Sequence, residues 1–68
     1  MKKLTLTFVG YDSWDRPVYK AGGNLYVDTD PREGWPPHIC TKCNNEFDGE
    51  PDCPVNAEFE FIPQRVLW

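Results

Sequence analysis

RPVYKAGGNLYVDT, residues 16–29, is the stretch whose reading decides the fold. Two short runs rich in β-branched and aromatic residues flank Gly22-Gly23, and a glycine pair accepts positive φ at both central positions of a two-residue hairpin. The spacing therefore predicts strands over RPVYKA and NLYVDT. Pro17 has no N–H to give to a ladder and belongs at a strand start or on an edge. Val18, Leu25 and Val27 are expected on the buried side, with Tyr19 and Tyr26 opposite them as a cross-strand aromatic pair.

The same period of two recurs outward in both directions. Upstream, Leu4, Leu6 and Phe8 alternate with Thr5, Thr7 and Val9, and a turn is expected at Gly10-Tyr11-Asp12-Ser13. Downstream, Ile39 to Lys42 predicts a short strand. AEFEFI (57–62) predicts another, with Phe59 and Phe61 facing the core and Glu58 and Glu60 facing water. Pro63 ends that strand, and the apolar tail Arg65-Val66-Leu67-Trp68 is expected to pack on the body. Only Asp30-Pro31-Arg32-Glu33-Gly34 carries a helix signature: an aspartate cap, proline at the first position and a glycine stop, enough for a single turn. Seven prolines and two alanines leave no scope for a long helix. The expected fold is mainly β. It is a single domain over residues 1–68, an antiparallel meander or partly open barrel of about five strands with one short helical turn, the acidic turn projecting from one end.

Size and charge exclude several functions. Sixty-eight residues make a core that is marginal without a staple or a partner, and leave little room for an enclosed active-site cleft. Seven basic against eleven acidic residues give a net charge of −4. The stretch from Asp28 to Glu60 holds nine of the acids. Such a surface repels phosphate backbones, so no nucleic-acid partner is expected, and −4 is too little charge to imitate a duplex. MKKLTLTFVG alternates with threonine and lacks a small-residue cleavage site, so it reads as a strand rather than a signal peptide. No stretch has transmembrane length, which places the chain in the cytoplasm with no membrane partner. Three cysteines, an odd count in a reducing compartment, argue against a disulfide framework.

HICTKCNNEFDGEPDCP (38–54) gathers all three cysteines, the one histidine and the densest run of acids. Cys40-x-x-Cys43 with Cys53 and His38 has the elements of a Cys₃His zinc site, and structural zinc would add stability to a small core. Against it, a ribbon has two Cys-x-x-Cys pairs and here the second half is Cys53 alone. The plainer reading is reduced cysteines packed as small apolar residues. A thioredoxin-like role needs a helix N-terminus after the motif, and Asn44-Asn45-Glu46 forms turns instead. Asn44-x-Glu46-x-Asp48-Gly49 resembles the start of a calcium loop, but the position of the bidentate glutamate is Val55. No nucleophile, base and orienting group can be assembled, so the chain is expected not to be an enzyme.

Surface recognition remains. The aromatics exceed what so small a core can hide, and Tyr, Trp and Arg dominate binding hot spots. Trp14, Trp35, Tyr19 and Tyr26, with Glu46, Asp48, Glu50 and Asp52 of the acidic turn, are the candidate contacts to a protein partner. The competing reading is that several of these rings merely close the ends of the core.

FVGYDSWDRPVYK (8–20), LYVDTDPR (25–32), NNEFDGEP (44–51) and EFIPQRVLW (60–68) together resemble a group of short bacterial proteins of uncharacterised role associated with conjugative elements and phages. The same module is also appended to large polyvalent proteins of such elements. The resemblance covers most of the chain, brings no catalytic residues with it and does not include the Cys-x-x-Cys. It implies a cytoplasmic accessory role in a mobile element. The expected function is thus a small non-catalytic protein-binding module; the alternative is a zinc-stabilised structural domain built on Cys40, Cys43 and Cys53.

Overall fold

Residues 3–67 are described by the structure, a computed structural model. The chain forms β1 (Lys3–Tyr11), β2 (Pro17–Ala21), β3 (Asn24–Asp28), β4 (Ile39–Lys42), β5 (Pro51–Pro54) and β6 (Glu58–Ile62). They make one six-stranded sheet in the order β5-β4-β3-β2-β1-β6. The first five strands form an antiparallel meander, but its fifth member, β5, was not among the strands expected from the sequence, which took 51–54 as part of the acidic turn. The sixth returns across the molecule to lie parallel to β1, Leu4 beside Phe59 and Leu6 beside Phe61. The sheet is therefore mixed and open: β5 and β6 are its two edges and do not pair.

The central hairpin forms as the glycine pair dictates. Gly22 and Gly23 both sit at positive φ, 57° and 85°, and Tyr19 pairs with Tyr26 and Val18 with Val27 across the turn. On β1 the register slips between Phe8 and Gly10, so that two residues face one on β2. Such a bulge bends the strand and increases its twist. Gly10, at φ 147°, fills the bulge because Phe47 lies against it; a Cβ there would stand 3.3 Å from the ring.

Both faces of the hairpin are buried, which corrects the expectation for the tyrosines. Tyr19, at 0% exposure, and Tyr26, at 9%, form the main core with Leu6 and Ile39. Leu4, Phe8, Phe59 and Phe61 pack around that cluster, and Tyr19 meets the edges of Phe8 and Phe61 at 5.9 and 5.1 Å. Val18, Val27 and Cys40, the alternate residues of the same strands, are also buried. The two tyrosines are thus interior rather than surface groups. Burial pushes the Tyr19 hydroxyl above its usual pKa, and that oxygen accepts the Val66 N–H at 3.1 Å, pinning the C-terminal tail. Leu67 is exposed, and Trp68 lies outside the described residues.

Two further expectations change. The helical turn is not at Asp30–Gly34 but at Cys43–Asn45, a 3₁₀ turn with Asn44 and Asn45 both left-handed at φ 54° and 55°. At 30–34 the Asp30 carboxylate binds the Arg32 guanidinium at 2.7 and 2.9 Å instead of capping N–H groups, and the backbone closes two tight turns, Arg32 N–H to the Asp30 carbonyl at 2.9 Å and Trp35 N–H to the Arg32 carbonyl at 3.3 Å. The acidic turn does not project either. It folds back onto the β2–β3 turn and the far end of β1: Asn45 accepts the Leu25 N–H and donates to the Gly23 carbonyl, Phe47 covers Gly10, and Asp48 accepts the Ser13 N–H.

Candidate functional site

β1 and β3 run the same way, so the β1–β2 connection and the β3–β4 connection leave the same end of the sheet. Each presents one tryptophan. Trp14 is 54% exposed with the Arg16 guanidinium 4.9 Å from its ring centre, and Trp35 is 55% exposed with Arg32 at 4.5 Å. Both distances are within cation–π range, worth about 0.5–1 kcal/mol at an exposed site. The rings are thereby restrained without being hidden. Among the described residues no pocket opens, and the candidate site is a rim of projecting side chains.

Each loop is held from beneath by a buried acid. Asp12, with no side-chain exposure, accepts the Trp14 and Arg16 N–H groups on Oδ1 at 2.9 and 3.0 Å. Its Oδ2 accepts Arg16 Nε at 3.1 Å and Lys42 Nζ at 2.6 Å. Lys42, equally buried, donates as well to the Gly49 carbonyl at 3.0 Å and so ties the acidic turn to the Trp14 loop. Burial alone would push the Asp12 carboxyl up; the Lys42 ammonium and the two N–H groups outweigh it and hold the pKa below the ordinary 3.8. The folded-state value therefore lies below the unfolded one. Its contribution is complete above about pH 4 and is lost as pH falls through the folded pKa. Wild type is expected to lose stability progressively below pH 4 in acid titration followed by circular dichroism, and Asp12→Asn to show a shallower loss over that window.

Asp28 does the same for the second loop. Its Oδ1 accepts the Asp30 and His38 N–H groups at 3.1 and 3.2 Å, and its Oδ2 faces Arg65 Nε at 3.6 Å, a charge pair with no hydrogen bond between them. Arg65 donates to the carbonyls of Trp35 and Arg32 at 2.7 and 3.4 Å. The tail thus clamps the Trp35 loop.

Of the candidate zinc ligands, Cys40 and Cys53 lie on the paired strands β4 and β5, and among the described residues no three His, Cys, Asp or Glu side chains form a group that could hold a metal ion. Cys40 is buried, and burial pushes its thiol pKa up. Cys43 lies beyond the strand in the 3₁₀ turn and Cys53 is exposed on β5, where its N–H bonds the Thr41 hydroxyl. His38 Nδ1 is engaged by the Thr29 hydroxyl at 2.8 Å. Glu46, Asp48, Glu50 and Asp52 are exposed.

Sequence reasoning missed Asp12, Lys42, Asp28 and Arg65. One signal was available: with Cys40 packed as a small apolar residue, Lys42 two residues later on the strand shares its buried face. A charge at an inward strand position needs a partner.

No protein-family model, curated protein or solved structure matches the chain. Among the described residues no helix is long and apolar enough to cross a membrane.

Proposed function

We propose that this chain is a small non-catalytic protein-binding module, a cytoplasmic accessory of a mobile element. Its contact surface is the rim carrying Trp14 and Trp35, with the acidic residues Glu46, Asp48, Glu50 and Asp52 as a charged flank. One observation carries the reading: the two tryptophans are more than half exposed at one end of the sheet, each restrained by its own arginine. An exposed ring held in place loses less entropy on binding than a free one, which is what an anchor requires. The mobile-element context rests on the resemblance of the four segments given above.

The test is affinity capture from the host cell with tagged wild type and with Trp14→Ala/Trp35→Ala. A hot-spot tryptophan contributes about 2 kcal/mol or more, so the double variant is expected to lose its specific partner band. Its melting temperature should move by no more than about 8 °C, because two exposed changes cost at most roughly 1 kcal/mol together. Undiminished capture by the variant overturns the reading, and so does a fall in melting temperature above 10 °C, which would make the rings structural.

A further inference from the structure

We infer that the free edge of β6 is a strand-addition site for an extended segment that alternates apolar with polar residues and carries its basic residues among the polar ones. The surface is distinct from the tryptophan rim and does not depend on it. The two edges of the sheet are unlike each other. β5 is four residues long and begins and ends with proline, Pro51 and Pro54, which removes donors from that edge. β6 is five residues long, has no internal proline, and keeps regular register with β1 over all five pairs from Lys3–Glu58 to Thr7–Ile62. Among the described residues, no strand and no loop backbone pairs with its outer side. An unbulged edge of this kind offers its N–H and C=O groups to an incoming strand.

Side chains choose the occupant. Glu58 and Glu60 stand on one side of β6, exposed, while Phe59 and Phe61 stand half-buried on the other. A second copy would set glutamates against glutamates across an antiparallel β6 pair, which is repulsive. What suits the strand is visible on its paired side. β1 places Leu4 and Leu6 beside the phenylalanines, Lys3 Nζ 3.9 Å from Glu60 Oε2, and the Thr5 hydroxyl donating to Glu60 Oε1 at 3.3 Å. A segment of the same alternation would meet the same two faces from the open side. The chain's net charge of −4 favours a basic partner at longer range.

The probe is a labelled peptide of the β1 sequence itself, KKLTLTFVG (residues 2–10), titrated into the full chain by fluorescence anisotropy. Amide shifts are followed in parallel by nitrogen-15 NMR. A charge-reversed peptide, EELTLTFVG, is the comparison. Binding of the basic peptide is expected to be at least about tenfold tighter, since like charges across an interface are strongly disfavoured. Shifts should concentrate on Glu58–Ile62, and Glu60→Lys should erase the preference, its melting temperature falling by no more than about 5 °C as the exposed contacts to Lys3 and Thr5 are lost. Absence of binding, equal binding of both peptides, or shifts centred on β5 or the tryptophan loops overturns the proposal. So does peptide-independent dimerisation through β6, which would make a second copy the occupant.

Discussion

Lys42→Met is expected to lower stability by about 3–5 kcal/mol, the usual cost of stripping one partner from a buried ion pair. The substitution fills the same space with an apolar chain, so little of the loss is packing. What changes is that Asp12 Oδ2 loses its 2.6 Å ammonium partner at a position with no exposure, and the Gly49 carbonyl loses its donor. Arg16 Nε remains on the same oxygen at 3.1 Å but is itself partly exposed. Set against a total of roughly 5–15 kcal/mol for a folded domain, with a 68-residue chain toward the low end, the variant sits near the edge of folding. Its melting temperature should fall by roughly 15 °C or more. The deficit should narrow as pH drops below about 4, because the wild type then loses its own Asp12 contribution while the variant has little left to lose. Urea melts at pH 7 and pH 3 read both effects. A loss under about 1 kcal/mol at pH 7 would mean that water reaches the pair, and the acidic turn would then be held by Asn45, Asp48 and the packing of Phe47 on Gly10.

That pair also shows where the sequence was legible and where it was not. The hairpin over 16–29, the short strand at 39–42 and the alternating strand at 58–62 were readable because each is announced by neighbours: a glycine pair, a period of two, a proline stop. The return of β6 to the side of β1 was not, since no local signal specifies a parallel partner 55 residues away, as Lys3 is from Glu58. Period two likewise says that Tyr19 and Val18 face opposite ways without saying that both faces will be covered. Tyr19 is covered by Phe8, Phe61 and the tail at Val66 while Val18 on the opposite face is buried as well, and only tertiary structure reveals that. The Asp30 cap failed for a chemical reason: with Arg32 two residues away, the carboxylate found a guanidinium before it found the free N–H groups of a nascent turn. Of the candidate contacts, Trp14, Trp35 and the four acids are exposed where they were expected. Of the groups that position the tryptophans, Asp12, Asp28 and Arg65 were invisible because a lone charged residue reads as surface until its surroundings are known.

Tyr19→Ala tests the other half of that picture. A contact residue on the surface would give a change within about 0.5 kcal/mol. The structure instead gives Tyr19 no exposure, a ring wedged between Phe8 and Phe61, and a hydroxyl that accepts the Val66 N–H. Truncation opens a cavity at the centre of the larger cluster and should cost about 3–5 kcal/mol, as for other large aromatic deletions. Tyr19→Phe keeps the ring and removes only the acceptor, so it should cost about 1 kcal/mol. That smaller loss should fall mainly on the tail. In hydrogen exchange, Val66 and the Arg65 clamp should lose protection in Tyr19→Phe while the β2–β3 amides keep theirs. Arg65 also holds the Trp35 carbonyl, so the same variant should loosen the Trp35 loop without touching its ring. Equal destabilisation by Tyr19→Phe and Tyr19→Ala would assign the whole effect to the hydroxyl and remove the ring from the core. A tail unaffected by Tyr19→Phe would leave Arg65 as its sole anchor.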